Sequence, residues 1–281
     1  MIYLIIVSII WSLSFALIKG QLTSIDPFFV SFIRLLISFI IFLPFLRLKE
    51  INKKLIPHLL LIGAIQYGIM YLAYIYSYQY LQAFEIAILT IFTPIFIVII
   101  IDVWNKNFIS TNWIKAVLAI IGSAIIIYSD KITVGFWKGI LLMQVSNFLF
   151  AFGQIYYKKI IKDESVKTQK QNFGIIFFGA VLVTAIFSLF SVDFNQISIS
   201  LNQGLTLIYL GAVASGLSFF LWNVGATKVN EGNLAVFNNL KIPLGVLFSI
   251  IILSESVNIL QLIIGFIIMI VAFLYNSKKH K

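Results

Sequence analysis

Lys241 stands near the middle of an apolar run, Gly232 to Glu255, with Asn238 and Asn239 before it and Pro243 just after it. A lysine at the centre of a hydrocarbon-length helix costs about 3 kcal/mol to insert, and such a charge marks a substrate or ion pathway by default. Asn238, Lys241, Gly245 and Ser249 recur at helical spacing and so share one face. A polar, small-residue face of this kind lines a wet cavity or packs on another helix. In the first case Lys241 binds a substrate carboxylate or phosphate, with Asn238 and Asn239 beside it. In the second it pairs with a carbonyl freed by Pro243 and only holds the helix.

Other residue types suited to binding lie in other apolar stretches. Tyr67, Tyr71, Tyr74 and Tyr78 form one helical stripe, and Tyr71 and Tyr74 sit near mid-span. Their rings and hydroxyls suit a cavity wall, and they suit ordinary packing equally. Trp11 with Ser14, Gln144 with Asn147, and Asn223 are further polar positions on helices expected at a cavity. Glu85 is either a proton-coupling carboxylate or an acid placed favourably at a helix N-terminus. Arg34, about two turns into its helix, reads as a tether to backbone carbonyls rather than a ligand. Pro94 and Pro243 are expected to unwind or kink their helices near the midplane and to serve gating. The chain has no cysteine, and its two histidines, His58 and His280, lie in basic flanks, so no metal site and no cofactor is expected.

These residues require membrane helices to position them. Of the 281 residues, 61% are hydrophobic and only 11% charged, against about 25% charged in soluble domains. The apolar residues come in blocks long enough to cross a bilayer. Ten spans are expected: 1–19, 27–46, 55–80, 83–103, 112–129, 136–158, 172–191, 203–226, 231–253 and 258–276. The first lacks a basic n-region and a cleavage site, and reads as a retained helix. The net charge of +10 sits in the loops, which points to anionic headgroups of the lipid bilayer and not to nucleic acid. With both termini in the cytoplasm, 15 basic residues fall inside and 3 outside, a strong positive-inside asymmetry.

A shift of 149 residues lays Pro94 on Pro243 and the third to fifth spans on the eighth to tenth. The first two spans match the sixth and seventh at a shift nearer 139. Five spans is odd, so the second copy, 131–281, lies inverted relative to the first, 1–130. The expected fold is thus an all-α membrane protein of ten transmembrane helices in two inverted five-helix repeats. That is the plan of secondary transporters, with the site at the midplane.

Particular residues also carry a family resemblance. Trp11-Ser12-Leu13-Ser14-Phe15 with Lys19, Arg34 in the second span, Pro94, Pro243 and the ending Leu253-Ser254-Glu255 resemble the drug/metabolite transporter superfamily, in its EamA-type ten-helix branch. Asn238 to Pro243 resembles a subgroup of carboxylate, amino acid and amine transporters. Ser12 replaces the usual glycine, and the fourth span ends Asp102-Val103-Trp104 where the family has L-G-E. The resemblance implies a central cavity lined by the first, third, fourth, sixth, eighth and ninth helices.

The expected function is secondary transport of a small organic metabolite (an amino acid, a carboxylate or a related compound) across a bacterial cytoplasmic membrane by alternating access, in a monomer or homodimer that is not an enzyme. The sequence has no G-x-x-x-x-G-K-[ST], so a gradient or exchange supplies the energy. A lipid-modifying enzyme would need clustered His, Asp or Glu. A broad cationic-drug exporter would want an acidic cavity, and a channel or scaffold would show no saturable uptake.

Overall fold

A computed structural model describes residues 1–106, 110–128, 134–161, 164–229 and 231–274. The expected repeat boundary at 130/131, His280 and the outer ends of the expected spans at 129 and 276 lie outside these. The described residues form the helices α1 (Ile2–Leu22), α2 (Pro27–Phe45), α3 (Lys53–Ser77), α4 (Ala83–Asn105), α5 (Ser110–Ile127), α6 (Phe136–Ile160), α7 (Val166–Ser191), α8 (Leu201–Ala226), α9 (Glu231–Leu253) and α10 (Ile259–Leu274). Among the described residues, seven of them (α1–α4 and α6–α8) are long and apolar enough to cross a membrane. Two apolar stretches, Phe237–Leu253 and Ile259–Val271, are shorter.

Local chemistry fixes several of the starts. Asp26 caps α2, accepting the amide N–H of Phe28 (2.8 Å) and Phe29 (3.2 Å), and Pro27 opens the helix where its missing donor is not needed. Ser200 and Gln203 close a capping box on α8. Ser165 caps α7 through the Thr168 amide at 3.1 Å, so α7 begins before the basic residues that the sequence reading had assigned to a loop.

The helices pack mainly between the first and second halves of the chain: α1 on α8 and α9, α2 on α7 and α8, α3 on α6 and α7, and α5 on α10. Large aliphatic and aromatic side chains such as Leu189, Phe190, Ile251 and Ile263 point outward. In lipid that is the favourable placement, because the surrounding hydrocarbon is as apolar as these side chains.

Three helices contain π-helical stretches: Ile18–Leu22 in α1, Gly63–Ile69 in α3 and Leu210–Leu217 in α8. Such wider turns recur at functional sites. In α8 they hand carbonyl groups to other helices: Gly211 accepts from Ser38 Oγ at 2.8 Å, and Ala214 from Trp11 Nε1 at 2.8 Å.

The two prolines behave differently. α4 breaks at Thr90-Ile91, just before Pro94. The Thr93 amide bonds Thr90 O at 3.0 Å, and Leu89 O instead takes the Asn147 Nδ2 proton at 2.8 Å. α9 runs through Pro243 without interruption, and Pro243 faces outward. The expected unwinding is therefore found at Pro94, where the Asn147 amide receives the displaced carbonyl, while α9 stays helical through Pro243.

Candidate functional site

A cavity lies among α1, α2, α3, α4, α6, α8 and α9, and about 550 Å³ of it is unfilled by atoms, counting space open to solvent. All six helices implied by the resemblance contribute, and α2 adds Arg34. Among the described residues, no aspartate or glutamate lines it.

Lys241 enters from α9 and is 6% exposed. Its Nζ lies 5.1 Å from the Trp11 ring centre and 5.8 Å from that of Phe150. It makes no hydrogen bond or ion pair with any described residue, so the carbonyl-pairing alternative finds no partner there. Asn238, Lys241, Gly245 and Ser249 are all buried, as one helix face requires. Gly245 permits that face to meet Phe15 and Ala87 of the neighbouring helices.

The Trp11 indole is held rigidly. Its N–H is fixed on Ala214 O, and its ring packs on Phe219 (5.2 Å), Trp222 (4.8 Å) and Phe150 (5.9 Å). It therefore presents a fixed π face to the ammonium, an interaction of about 2 kcal/mol when desolvated.

Arg34, also on the cavity wall, is 1% exposed. Its Nη2 donates to Tyr71 Oη at 2.9 Å and to Ser215 Oγ at 3.1 Å, and the guanidinium carbon lies 4.8 Å from the Tyr71 ring centre. Tyr71 and Ser215 share a hydrogen bond of 2.8 Å, and Ser215 donates onward to Leu210 O at 2.8 Å. The expected tether to backbone carbonyls is thus replaced by one to hydroxyls, because the π-helical turn of α8 delivers Ser215 to the guanidinium.

Of the residues expected to bind substrate, the cavity gathers Lys241, Tyr71, Tyr74, Trp11, Ser14 and Asn147. Asn147 is also committed to the α4 break, accepting from Thr93 Oγ1 at 3.1 Å. Asn238, Asn239, Gln144 and Asn223 are not on the wall. Asn238 donates to Leu234 O at 3.0 Å, and Asn223 donates to the Tyr67 hydroxyl and to Phe219 O. The tyrosine stripe divides accordingly: Tyr71 and Tyr74 face the cavity, Tyr67 faces Asn223, and Tyr78 is reached by the Tyr74 hydroxyl at 2.8 Å. Thr90, Thr93, Ser146 and Phe219 also line the wall and were not singled out from sequence. The signal available for Thr93 was its place beside Pro94. Among the described residues, no three His, Cys, Asp or Glu side chains could hold a metal ion.

Glu85 lies away from the wall, where it accepts the Gln82 amide N–H at 2.7 Å. The same helix end is capped from afar. Glu255, beyond α9, accepts the amide N–H of Ala83 (2.8 Å) and Phe84 (3.0 Å). Lys19 reaches the turn before it, donating to Tyr78 O (2.9 Å) and Leu81 O (2.7 Å). Replacing Glu255 by Ala strips two orphan amides and is expected to lower stability by about 1–3 kcal/mol. The fall should appear in the thermal midpoint of the detergent-solubilised protein, with Glu255→Gln recovering part of it. Equal midpoints for Ala and wild type would mean that the cap is replaceable by water.

Comparison with known proteins gives three findings. A family model described as the EamA-like transporter family matches residues 1–128 and 137–277. The chain is 37% identical over 255 residues to a Salmonella typhimurium protein named biotin transporter, covering 90% of this chain and 85% of that one. It is 34% identical to a Pseudomonas aeruginosa protein named probable biotin transporter (98% and 96% covered), and 33% identical to the Escherichia coli K12 biotin transporter (98% and 92% covered). A protein of known crystal structure superposes with a TM-score of 0.73 over 99% of this chain and 98% of its own, at 11% identity, a likeness of fold alone.

Proposed function

The chain belongs to the EamA-like transporter family, and from that premise we propose that it is a secondary transporter that carries biotin across the bacterial cytoplasmic membrane. The observation that carries the reading is Lys241: a buried cation facing a ring-lined cavity with no acid among the described residues of its wall. Biotin has one carboxylate on an aliphatic chain and a compact bicyclic head. The carboxylate answers the ammonium, and the apolar remainder answers Trp11, Phe150 and Phe219. A cationic substrate would meet two like charges there and nothing to offset them. The names of the relatives support the same substrate.

Transport proceeds by alternating access of two inverted five-helix halves, 1–130 and 131–281, with both termini cytoplasmic. Several correspondences support that plan. The family model matches the chain in two parts. The π-helical stretches of α3 and α8 overlap under the 149-residue shift. Lys19 and Lys158 correspond under the 139-residue shift, and each bonds a carbonyl in a turn between helices, Lys158 doing so with Val229 O at 2.9 Å.

The test is uptake of labelled biotin by the purified protein in proteoliposomes. Saturable uptake, competed by unlabelled biotin, is expected. Accumulation no greater than in protein-free liposomes would remove the proposal.

A further inference from the structure

Arg34 is a second buried cation on the same cavity, and nothing in the transport reading so far uses it. Its hydrogen bonds leave a surplus of donors. Ser215 gives its proton to Leu210 O, so Tyr71 gives its own to Ser215. Of the guanidinium nitrogens, Nη2 alone donates to these two hydroxyl oxygens. Nε and Nη1 are buried and have no acceptor. Every group that holds Arg34 is neutral, and no described carboxylate pairs with it. Buried guanidinium groups are normally paired, and unmet donors in a low-dielectric site cost more than the bonds they could form. If Arg34 served only to bind α2 to α3 and α8, a neutral donor would do so without the uncompensated charge. Arg34 itself is part of the cavity wall.

We propose that Arg34 is a substrate-binding residue that receives the ureido carbonyl of biotin while Lys241 holds the carboxylate. This assignment rests on the biotin reading above. A ureido oxygen is a strong neutral acceptor, electron-rich because two nitrogens conjugate with it. It satisfies a guanidinium that must remain in place when the substrate leaves, and it does so without forming a buried ion pair that would be slow to break. Recognition at both ends also fixes substrate direction, so that a simple fatty acid, which has only the carboxylate, is held at one point.

Paired analogues test this. In 2-iminobiotin a protonated imine replaces the ureido oxygen, and in biotinol an alcohol replaces the carboxylate. Competition with labelled biotin is measured on purified wild type, Arg34→Gln and Lys241→Gln, with the ratio of affinities taken within each protein so that the amount folded cancels. Wild type is expected to prefer biotin to each analogue by about tenfold or more. Arg34→Gln should narrow the biotin/iminobiotin ratio and leave the biotin/biotinol ratio in place, and Lys241→Gln should do the reverse. Arg34→Lys supplies the reading if the glutamine variant does not fold. It too should narrow the iminobiotin ratio, because an ammonium lacks the planar donor array. If wild type takes biotin and iminobiotin alike, or if the Arg34 variants leave the iminobiotin ratio unchanged or narrow both ratios equally, the assignment is wrong while biotin transport stands. If wild type neither binds nor carries biotin, the functional reading falls, and the assignment with it.

Discussion

Replacing Lys241 by Gln is expected to lower the affinity for biotin about ten- to a hundredfold, the effect of losing one charged hydrogen bond of about 1.5–3 kcal/mol. The loss should come without loss of the fold. Removing one partner of a buried ion pair destabilises, because the other charge is stranded. Lys241 has no such partner among the described residues, so its removal strands nothing. Lys241→Met, which keeps the volume and removes the charge, should therefore melt at or above the wild-type midpoint while uptake collapses. That opposition of stability and activity is typical of binding groups maintained against the folded state. A midpoint that falls together with uptake would instead make Lys241 a structural residue, and the carboxylate would have to be met elsewhere. The cation–π contact makes a further contribution to the same measurement. Trp11→Leu should weaken biotin binding less than Lys241→Gln, since the charge remains and only its fixed neighbour is lost.

Gly63→Ala should be the most damaging small substitution in the chain. Here α3 and α7 touch backbone to backbone. An added Cβ would overlap the Ile176 carbonyl oxygen, with its carbon at 2.9 Å and Ala180 N at 3.1 Å. None of these atoms can rotate aside as a side chain could, so the two helices must separate along their length. Overpacking of this kind costs about 1–3 kcal/mol or more. At 2–4 °C per kcal/mol, the thermal midpoint should fall by roughly 2–12 °C. Gly204→Ala is the matched control. A Cβ there meets only Ile199 Cγ2, at 3.9 Å, and alanine is the better helix former by about 1 kcal/mol, so that variant should hold or gain stability. If Gly63→Ala melts with wild type, α3 and α7 do not approach as closely as described. The consequence reaches the site, because α3 carries Tyr71 and Tyr74 and α7 is its support.

Membrane class, helix positions and the polar face of α9 are local properties, and the amino-acid sequence by itself determined them. Apolar blocks of bilayer length make helices, because unpaired backbone groups are intolerable in lipid. A period near 3.6 then decides which residues share a face, and so Asn238, Lys241, Gly245 and Ser249 are buried together. Which faces meet is not local. Tyr67, Tyr71, Tyr74 and Tyr78 are equivalent in sequence, yet only the middle two reach the cavity, because α8 covers the first with Asn223. Arg34 reads as a tether to carbonyls until α8 turns π-helical and places Ser215 beside it, which satisfies one nitrogen and leaves two buried without an acceptor. The contrast between Pro94 and Pro243 has the same origin. Each removes the same backbone donor, and only Asn147, from a helix far along the chain, accommodates a break in α4. Periodicity supplied the faces. Long-range packing assigned two cations that stand 207 positions apart in sequence, Arg34 on α2 and Lys241 on α9, to the wall of one cavity.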